Sequence, residues 1–322
     1  MTMRGNYIVI SRSGALRLFK ETRQQRRDQQ VRIEVGGVGV RTLPFPAALD
    51  ALDIADLPPA ADVTLSVRPA RGLRRLLEPP FVVETRPQVH RLRGLITGSG
   101  RCGTQSLALW LDGMTAADGV PVRARHETLA HHLLPLIEDG RADEVRQFVE
   151  GFSHGIECAP HFSLVPTAIA ADAVIRIIRD GRRVVQSGRN RGWYANQSPW
   201  NRVKPVFPGD AFAQSCHFWV HTNRNLDGVA THTFRLEDLI AAPAARNALL
   251  AALDLPPSGR PLPAANAGHR SSQPSGWSAE EHETFAQICG GLMDEHYPGW
   301  RAERAETPSV GGQAMREHAV HA

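Results

Sequence analysis

The rhythm of apolar positions changes near residue 93. Before it, short apolar runs alternate with polar residues and are broken by glycine. Residues 7–10 and 15–19 flank Ser13-Gly14, residues 31–35 and 38–41 flank Gly36-Gly37, and residues 63–67 alternate. A period of two around glycine turns predicts antiparallel strands and hairpins. Residues 71–92 are rich in arginine and proline and read as a connector. Residues 1–92 therefore read as a β-rich accessory region, with Arg23, Arg26 and Arg27 in a solvated loop.

From residue 93 the pattern alternates between apolar strand and amphipathic helix. Leu95-Ile96-Thr97 leads to a helical pattern with Leu107, Leu109, Trp110 and Leu111. A second strand is expected over 120–125, ending at His126-Glu127. Helices follow over 129–137 and 142–152, then a short run at 156–161 and a helix through Ala170. Residues 174–178 read as a buried strand, 188–208 as a long binding loop, and 210–226 as an amphipathic helix. A strand over 233–239 runs into another helix. Ser278-Ala279-Glu280-Glu281 is a capping box that opens a last helix reaching about Tyr297. This alternation argues for an α/β domain over 93–301 with a central parallel sheet flanked by helices. Residues 302–322 are polar and read as a disordered tail.

The chemistry concentrates in Gly98-Ser99-Gly100-Arg101-Cys102-Gly103-Thr104-Gln105-Ser106, between the first strand and helix of that domain. Strand, glycine turn and helix make a phosphate cradle, because free N–H groups and the positive helix end face an anion. The spacing Gly98-x-Gly100-x-x-Gly103 fits a dinucleotide loop, with Glu127 as the downstream acid. It also begins a P-loop, but Thr104-Gln105 stands where lysine and a magnesium-binding hydroxyl are required. A third pattern places the cation before the last glycine, as Arg101-Cys102-Gly103-Thr104-Gln105-Ser106.

That third pattern resembles the phosphosulfate loop of the sulfotransferases that use 3′-phosphoadenosine 5′-phosphosulfate (PAPS). A second segment, 174–187, carries the resemblance further. Arg179 closes an apolar strand and Ser187 follows eight residues on, the pattern of the family's 3′-phosphate motif. The resemblance covers roughly residues 93–300. It implies a P-loop-like sulfotransferase fold and transfer of a sulfuryl group, without a metal, to a hydroxyl or less readily an amine of a carbohydrate or small metabolite. It assigns Gly100, Arg101, Cys102, Gly103, Thr104, Gln105, Ser106, Arg179 and Ser187 to the nucleotide, with Arg101 at the leaving group. His269 or Arg270 would complete the 3′-phosphate site. Cys102 stands at the family's usual serine and reads as packing.

Transfer to a hydroxyl also calls for a base. Glu127 is the expected base, since some branches of the family place a glutamate at this strand end, and His126 is the alternative. Glu157, His161, Trp193 and Tyr194 are expected on the acceptor side.

Bulk properties narrow the field without choosing an acceptor. A chain of 322 residues with 42% hydrophobic content suits a globular protein. No apolar run is long enough to span a membrane. The net charge of +4 suits an anionic nucleotide. No dense basic run interleaved with aromatics points to nucleic acid. Cys102, Cys158, Cys216 and Cys289 form no metal or CxxC spacing, which fits a reducing cytoplasm. Homo-oligomer formation is left open. Two other classes remain: an oxidoreductase of Rossmann type holding NAD(P) or FAD on the glycine loop, and a nucleotide-binding adaptor whose β-rich arm does the work.

Overall fold

Strand β8 (Leu92–Thr97) is apolar on both faces because it lies at the centre of a sheet covered on both sides. Leu95 packs with one core and Ile96 with another. The computed structural model describes residues 7–12, 15–20, 28–35, 38–49, 51–54, 63–70, 81–85, 92–117, 119, 121–150, 152, 155–263 and 276–302. Five parallel strands make the central sheet: β8, β9 (Ala124–His126), β10 (Ile156–Cys158), β11 (Ala171–Ile178) and β12 (His232–Arg235). Their order is β12-β11-β8-β10-β9. Cys158 and Ile175 both pair with Ile96, and Ile178 pairs with Arg235. All five strands therefore end at the same edge.

Helix α1 (Thr104–Leu111) packs Leu107, Trp110 and Leu111 on the face bearing Ile96, Ile175 and Ile177. Helices α7 (Leu236–Ala241) and α8 (Pro243–Ala252) share that core through Leu239, Leu249 and Leu250. On the opposite face, α2 (Ala130–Glu138) and α3 (Ala142–Glu150) pack Leu133, Leu134, Val145 and Val149 under Leu95 and Val174. A third core joins Ile178 to α4 (Gly181–Asn190), α6 (Ala211–Arg224) and α9 (Ala279–His296), while α5 (Pro199–Arg202) is a single turn. Ser278 caps α9 in the expected capping box with Glu281.

The N-terminal region is β-rich, as expected. Strands β1 (Tyr7–Arg12), β2 (Ala15–Lys20) and β5 (Ala51–Ile54) form one antiparallel sheet. Strands β3 (Gln29–Val35), β4 (Val38–Phe45), β6 (Val63–Pro69) and β7 (Phe81–Thr85) form another, in the order β4-β3-β6-β7. Leu18 and Ile54 of the first sheet join Val31, Ile33, Phe45, Leu65 and Val67 of the second in one core. Lys20 is buried beside it, donating to the carbonyls of Pro46 and Leu49 at 2.6 and 2.8 Å.

Three expectations need correction. The connector over 71–92 contains strand β7, which pairs with β6. The second strand of the α/β domain is only Ala124–His126, since Pro121 instead bridges Thr115. The helix expected through Ala170 is two 3₁₀ turns, Pro160–Leu164 and Pro166–Ala168. Pro166, six residues after Pro160, has no N–H to donate and would break an α-helix continued through both. The expected tail, residues 302–322, lies outside the described residues apart from Ala302.

Gly98 ends β8 against its neighbour. A Cβ there would lie 2.3 Å from the Ile177 carbonyl oxygen and 2.9 Å from Cys102 Sγ. Gly98→Ala is expected to lower unfolding free energy by about 1–3 kcal/mol in urea titration. Gly259→Ala, where a Cβ meets nothing within 4 Å, serves as the control.

Candidate active site

The parallel register brings five chain segments to one edge: 98–103 after β8, 126–127 at the end of β9, 159–161 after β10, 179–180 after β11 and 236–237 after β12. The chain runs from β8 outward to β9 and returns to β10. It then crosses β8 to β11, so connections diverge on either side of β8. Such a switch point is where open α/β sheets hold ligands. The loop after β8 turns through positive φ at Gly100, Arg101 and Gly103, with values of 76°, 57° and 89°. Gly103 then starts α1 without any side-chain cap. The N-terminus of a helix carries N–H groups and a positive dipole end that suit an anion.

Arg101 and Arg179 tie the two expected nucleotide motifs together. Arg101 donates from Nε to Ser187 Oγ at 2.9 Å, and Arg179 donates from Nη1 to the Arg101 carbonyl at 2.8 Å. Burial lowers the proton affinity of both guanidinium groups. Arg191 and Arg179 lower that of Arg101 further, while Glu237 opposes the shift at Arg179 and Arg183 adds to it. Four cations thus gather around the loop. The strand end is braced from three sides. The Trp219 indole donates to the Arg179 carbonyl at 3.2 Å, Glu237 accepts from the Asp180 N–H at 3.3 Å, and Tyr297 donates to Glu237 at 2.9 Å. Asp180 caps α4 and pairs with Arg182 at 2.6 Å.

Thr104 and Ser106 are buried at the start of α1, and Gln105 is exposed. Cys102 is fully buried in the core under the sheet, and burial pushes its thiol up to about 11. A neutral, packed thiol matches the packing role. His269 and Arg270 lie outside the described residues.

On the other side of the loop stand Glu127, His126, Glu157 and His161. Glu127 has φ 54°, a left-handed conformation costing about 1–2 kcal/mol for a residue with a Cβ. Strain of this kind gathers at functional sites. Burial first, then Glu157, raises the Glu127 carboxyl to about 7, while Arg101 pulls it back. Burial pushes His126 down to about 4. Its Nε2 sits 3.2 Å from Thr104 Oγ1 and 3.4 Å from Glu127 Oε1. The imidazole is neutral at pH 7, so the contact with Glu127 is not an ion pair. Glu157 is fully buried and accepts the Thr128 N–H at 3.1 Å. His161 is buried between Phe162 and Trp200, with ring centroids 4.3 and 5.7 Å away.

Trp193 and Tyr194 differ in placement. The Trp193 ring lies 3.5 Å from where a Gly100 Cβ would stand, and its N–H donates to the Gly188 carbonyl at 3.0 Å. It therefore borders the phosphate loop. Tyr194 donates its hydroxyl to the Pro205 carbonyl at 2.9 Å, and burial raises its proton affinity. It serves its own loop. Lys204 was not anticipated. It is buried, donates to the Trp200 carbonyl and to Asn201 Oδ1, and lies 5.2 Å from the Trp193 ring. No motif surrounds it in sequence. Arg183 and Arg191 were also missed, though the arginine density at 182, 183, 189 and 191 signals them.

Among the described residues no group of three or more His, Cys, Asp or Glu side chains is placed to hold a metal ion, and no helix is long and apolar enough to cross a membrane. All four cysteines are free and buried. The strand order also bears on the dinucleotide alternative. The classic order sets the second strand beside the first. Here the third strand, β10, lies there, and Glu127 on β9 is one strand further out.

The chain matches no family model and no curated protein. Among solved structures it is similar to a sulfotransferase domain from the curacin biosynthetic pathway, with 13% identity over 63% of this chain and 99% of that one and a TM-score of 0.39. A likeness at that TM-score carries no argument, so any functional reading rests on the residues themselves.

The raised Glu127 carboxyl has a consequence for stability. Its proton binds more tightly in the folded state, so the wild type loses stability as pH rises from 4.5 through about 7. Glu127→Gln removes that loss. Relative to wild type, the variant is expected to gain up to about 3 kcal/mol between pH 4.5 and 7, at about 1.4 kcal/mol per pH unit, and to hold that gain above pH 7. Urea titrations at each pH measure it. His126 titrates in the opposite sense and is common to both proteins.

Proposed function

We propose that this chain is a sulfotransferase, moving a sulfuryl group from PAPS to a hydroxyl of a carbohydrate or small metabolite. The observation that carries the reading is the junction of the two nucleotide motifs. Arg101 reaches Ser187 and Arg179 reaches the Arg101 backbone, so both motifs face one point at the switch of the sheet. Half-buried guanidinium groups of like charge held this close are stabilised by an anion between them. A nucleotide with phosphates at both 3′ and 5′ positions supplies two such charges. In this reading Arg179 and Ser187 hold the 3′-phosphate, and the N-terminus of α1 with Thr104, Gln105 and Ser106 holds the 5′-phosphate.

Bound PAPS would supply the activated sulfuryl group, and the chain's residues do the rest. Arg101 neutralises charge on the bridging oxygen as its bond to sulfur breaks. Guanidinium charge performs there what a metal performs in many phosphoryl transfers, so the proposed reaction calls on no metal ion. Glu127 takes the acceptor proton as the acceptor oxygen bonds to sulfur, and adenosine 3′,5′-bisphosphate departs. A carboxyl near 7 is matched to that task at neutral pH, whereas His126 near 4 is a weak base. His126 instead links Thr104 to Glu127 and orients the carboxylate.

Adenosine 3′,5′-bisphosphate at a hundred times its Kd is expected to add about 2.7 kcal/mol to stability by mass action. Thermal denaturation with this ligand, NAD and ATP in parallel reads the effect, and Arg179→Ala is expected to abolish it. A shift with NAD and none with the bisphosphate sinks the reading. Once an acceptor is in hand, turnover is expected to rise with pH through about 7. Glu127→Gln is expected to reduce it about a hundred- to ten-thousand-fold.

A further inference from the structure

His161 is buried without bonds to explain its burial. Its side chain is 2% exposed, and neither Nδ1 nor Nε2 has a hydrogen-bond partner among the described residues. Native proteins leave few buried polar atoms unpaired, and each such atom calls for a partner that arrives by another route. The residue is held in place by its backbone. The Ala159 N–H donates to the Ile96 carbonyl at 3.0 Å, and Ser163 Oγ donates to the Pro160 carbonyl at 2.7 Å. The 3₁₀ turn from Pro160 thus aims an imidazole that forms no bonds of its own. It sits on the Glu127 side of the phosphate loop, close enough for Glu157 and His126 to act on its charge.

Burial pushes His161 down to about 4, with Glu157 opposing and His126 adding. The ring is therefore neutral, with one nitrogen donating and one accepting. A hydroxyl also donates and accepts, so the two match. A carboxylate or phosphate offers acceptors only, and would bring negative charge beside Glu127 and Glu157. An ammonium offers donors only and leaves the imidazole N–H unpaired. A simple phenol has one hydroxyl, and the reacting proton must go to Glu127, so nothing remains for His161. Trp200, 5.7 Å from the imidazole, adds an aromatic surface. Ligand sites commonly combine such a surface with a few placed polar groups.

We propose that His161 is the specificity-determining residue of the transfer site and selects a neutral polyol acceptor. One hydroxyl of the acceptor reacts at Glu127 and a neighbouring hydroxyl bonds to the His161 ring, with the C–H face of the molecule on Trp200. This inference rests on the transfer reading and adds the acceptor class to it.

The test uses full-length protein with ¹⁵N-labelled histidine, saturated with adenosine 3′,5′-bisphosphate. The probes are methyl glucoside, methyl galactoside, methyl mannoside and myo-inositol, against 4-nitrophenol and methylamine. The His161 ring resonances, assigned by their loss in His161→Phe, are expected to shift with at least one polyol and with neither of the other probes. His161→Phe is expected to keep the thermal shift with the bisphosphate and to weaken polyol binding about tenfold or more, the worth of one lost hydrogen bond. No shift with any polyol, or equal shifts with the phenol or amine, overturns the proposal. So does polyol binding that survives in His161→Phe. Failure of the bisphosphate to raise the melting temperature is a separate result and counts against the transfer reading instead.

Discussion

Everything at this edge depends on holding two half-buried guanidinium groups close together. Arg101 follows the central strand and Arg179 its neighbour, and parallel pairing of β8 with β11 sets their separation. The contact that joins them runs from a side chain to a backbone carbonyl, not between opposite charges. The fold tolerates the repulsion between them, with Glu237 opposing it at Arg179 and Glu127 at Arg101. The braces explain how. Trp219, Glu237 and Tyr297 come from three helical segments and lock the strand end on which Arg179 sits. Arg101 is kept in a left-handed turn between Gly100 and Gly103. In the proposed reaction an anionic ligand between the two guanidinium groups would relieve their repulsion.

The opposite polarity lies across the loop. Glu127 and Glu157 face each other closely enough for one to raise the proton affinity of the other, and the two histidines beside them are neutral. The site thus divides into a cationic half beyond β11 and an anionic half beyond β9 and β10. In the proposed reaction the cationic half would lower the energy of charge leaving with the donor, and the anionic half would remove a proton from the acceptor. Arg101 lies at the boundary and is sensed by Glu127. Protonation on one side is therefore coupled to charge on the other.

The parts of this arrangement that could be read from the chain are those with local causes. The glycine turn after Leu95-Ile96-Thr97, the apolar strand before Arg179 and the capping box at Ser278 each depend on neighbours in sequence, and each is present in the structure. What escaped reading depends on distant partners. Strand β7 is recognisable only through its pairing with β6. The order that sets β10 beside β8, and so moves Glu127 one strand outward, has no local signature. Lys204 has none either, because its burial comes from Trp193, Trp200 and Phe218 folding over it. Residues 266–272 hold the expected His269 and Arg270, and they lie outside the described residues.

Placement also separates the two acidic candidates, which look alike in sequence. Glu127 and Glu157 differ in surroundings. Glu157 is fully buried on β10, between β8 and β9, and accepts a backbone N–H from Thr128. A carboxylate fixed in that way holds the neighbouring turn and sets the local field. Glu127 stands one residue beyond an edge strand, 30% exposed, with a left-handed backbone that turns it toward Arg101. Partial exposure lets a proton leave it, and burial, with Glu157 adding, raises that proton's affinity to about 7. In the proposed reaction Glu127 would serve as the base while Glu157 holds the neighbouring turn, so that two like side chains from adjacent strands would divide structure from chemistry.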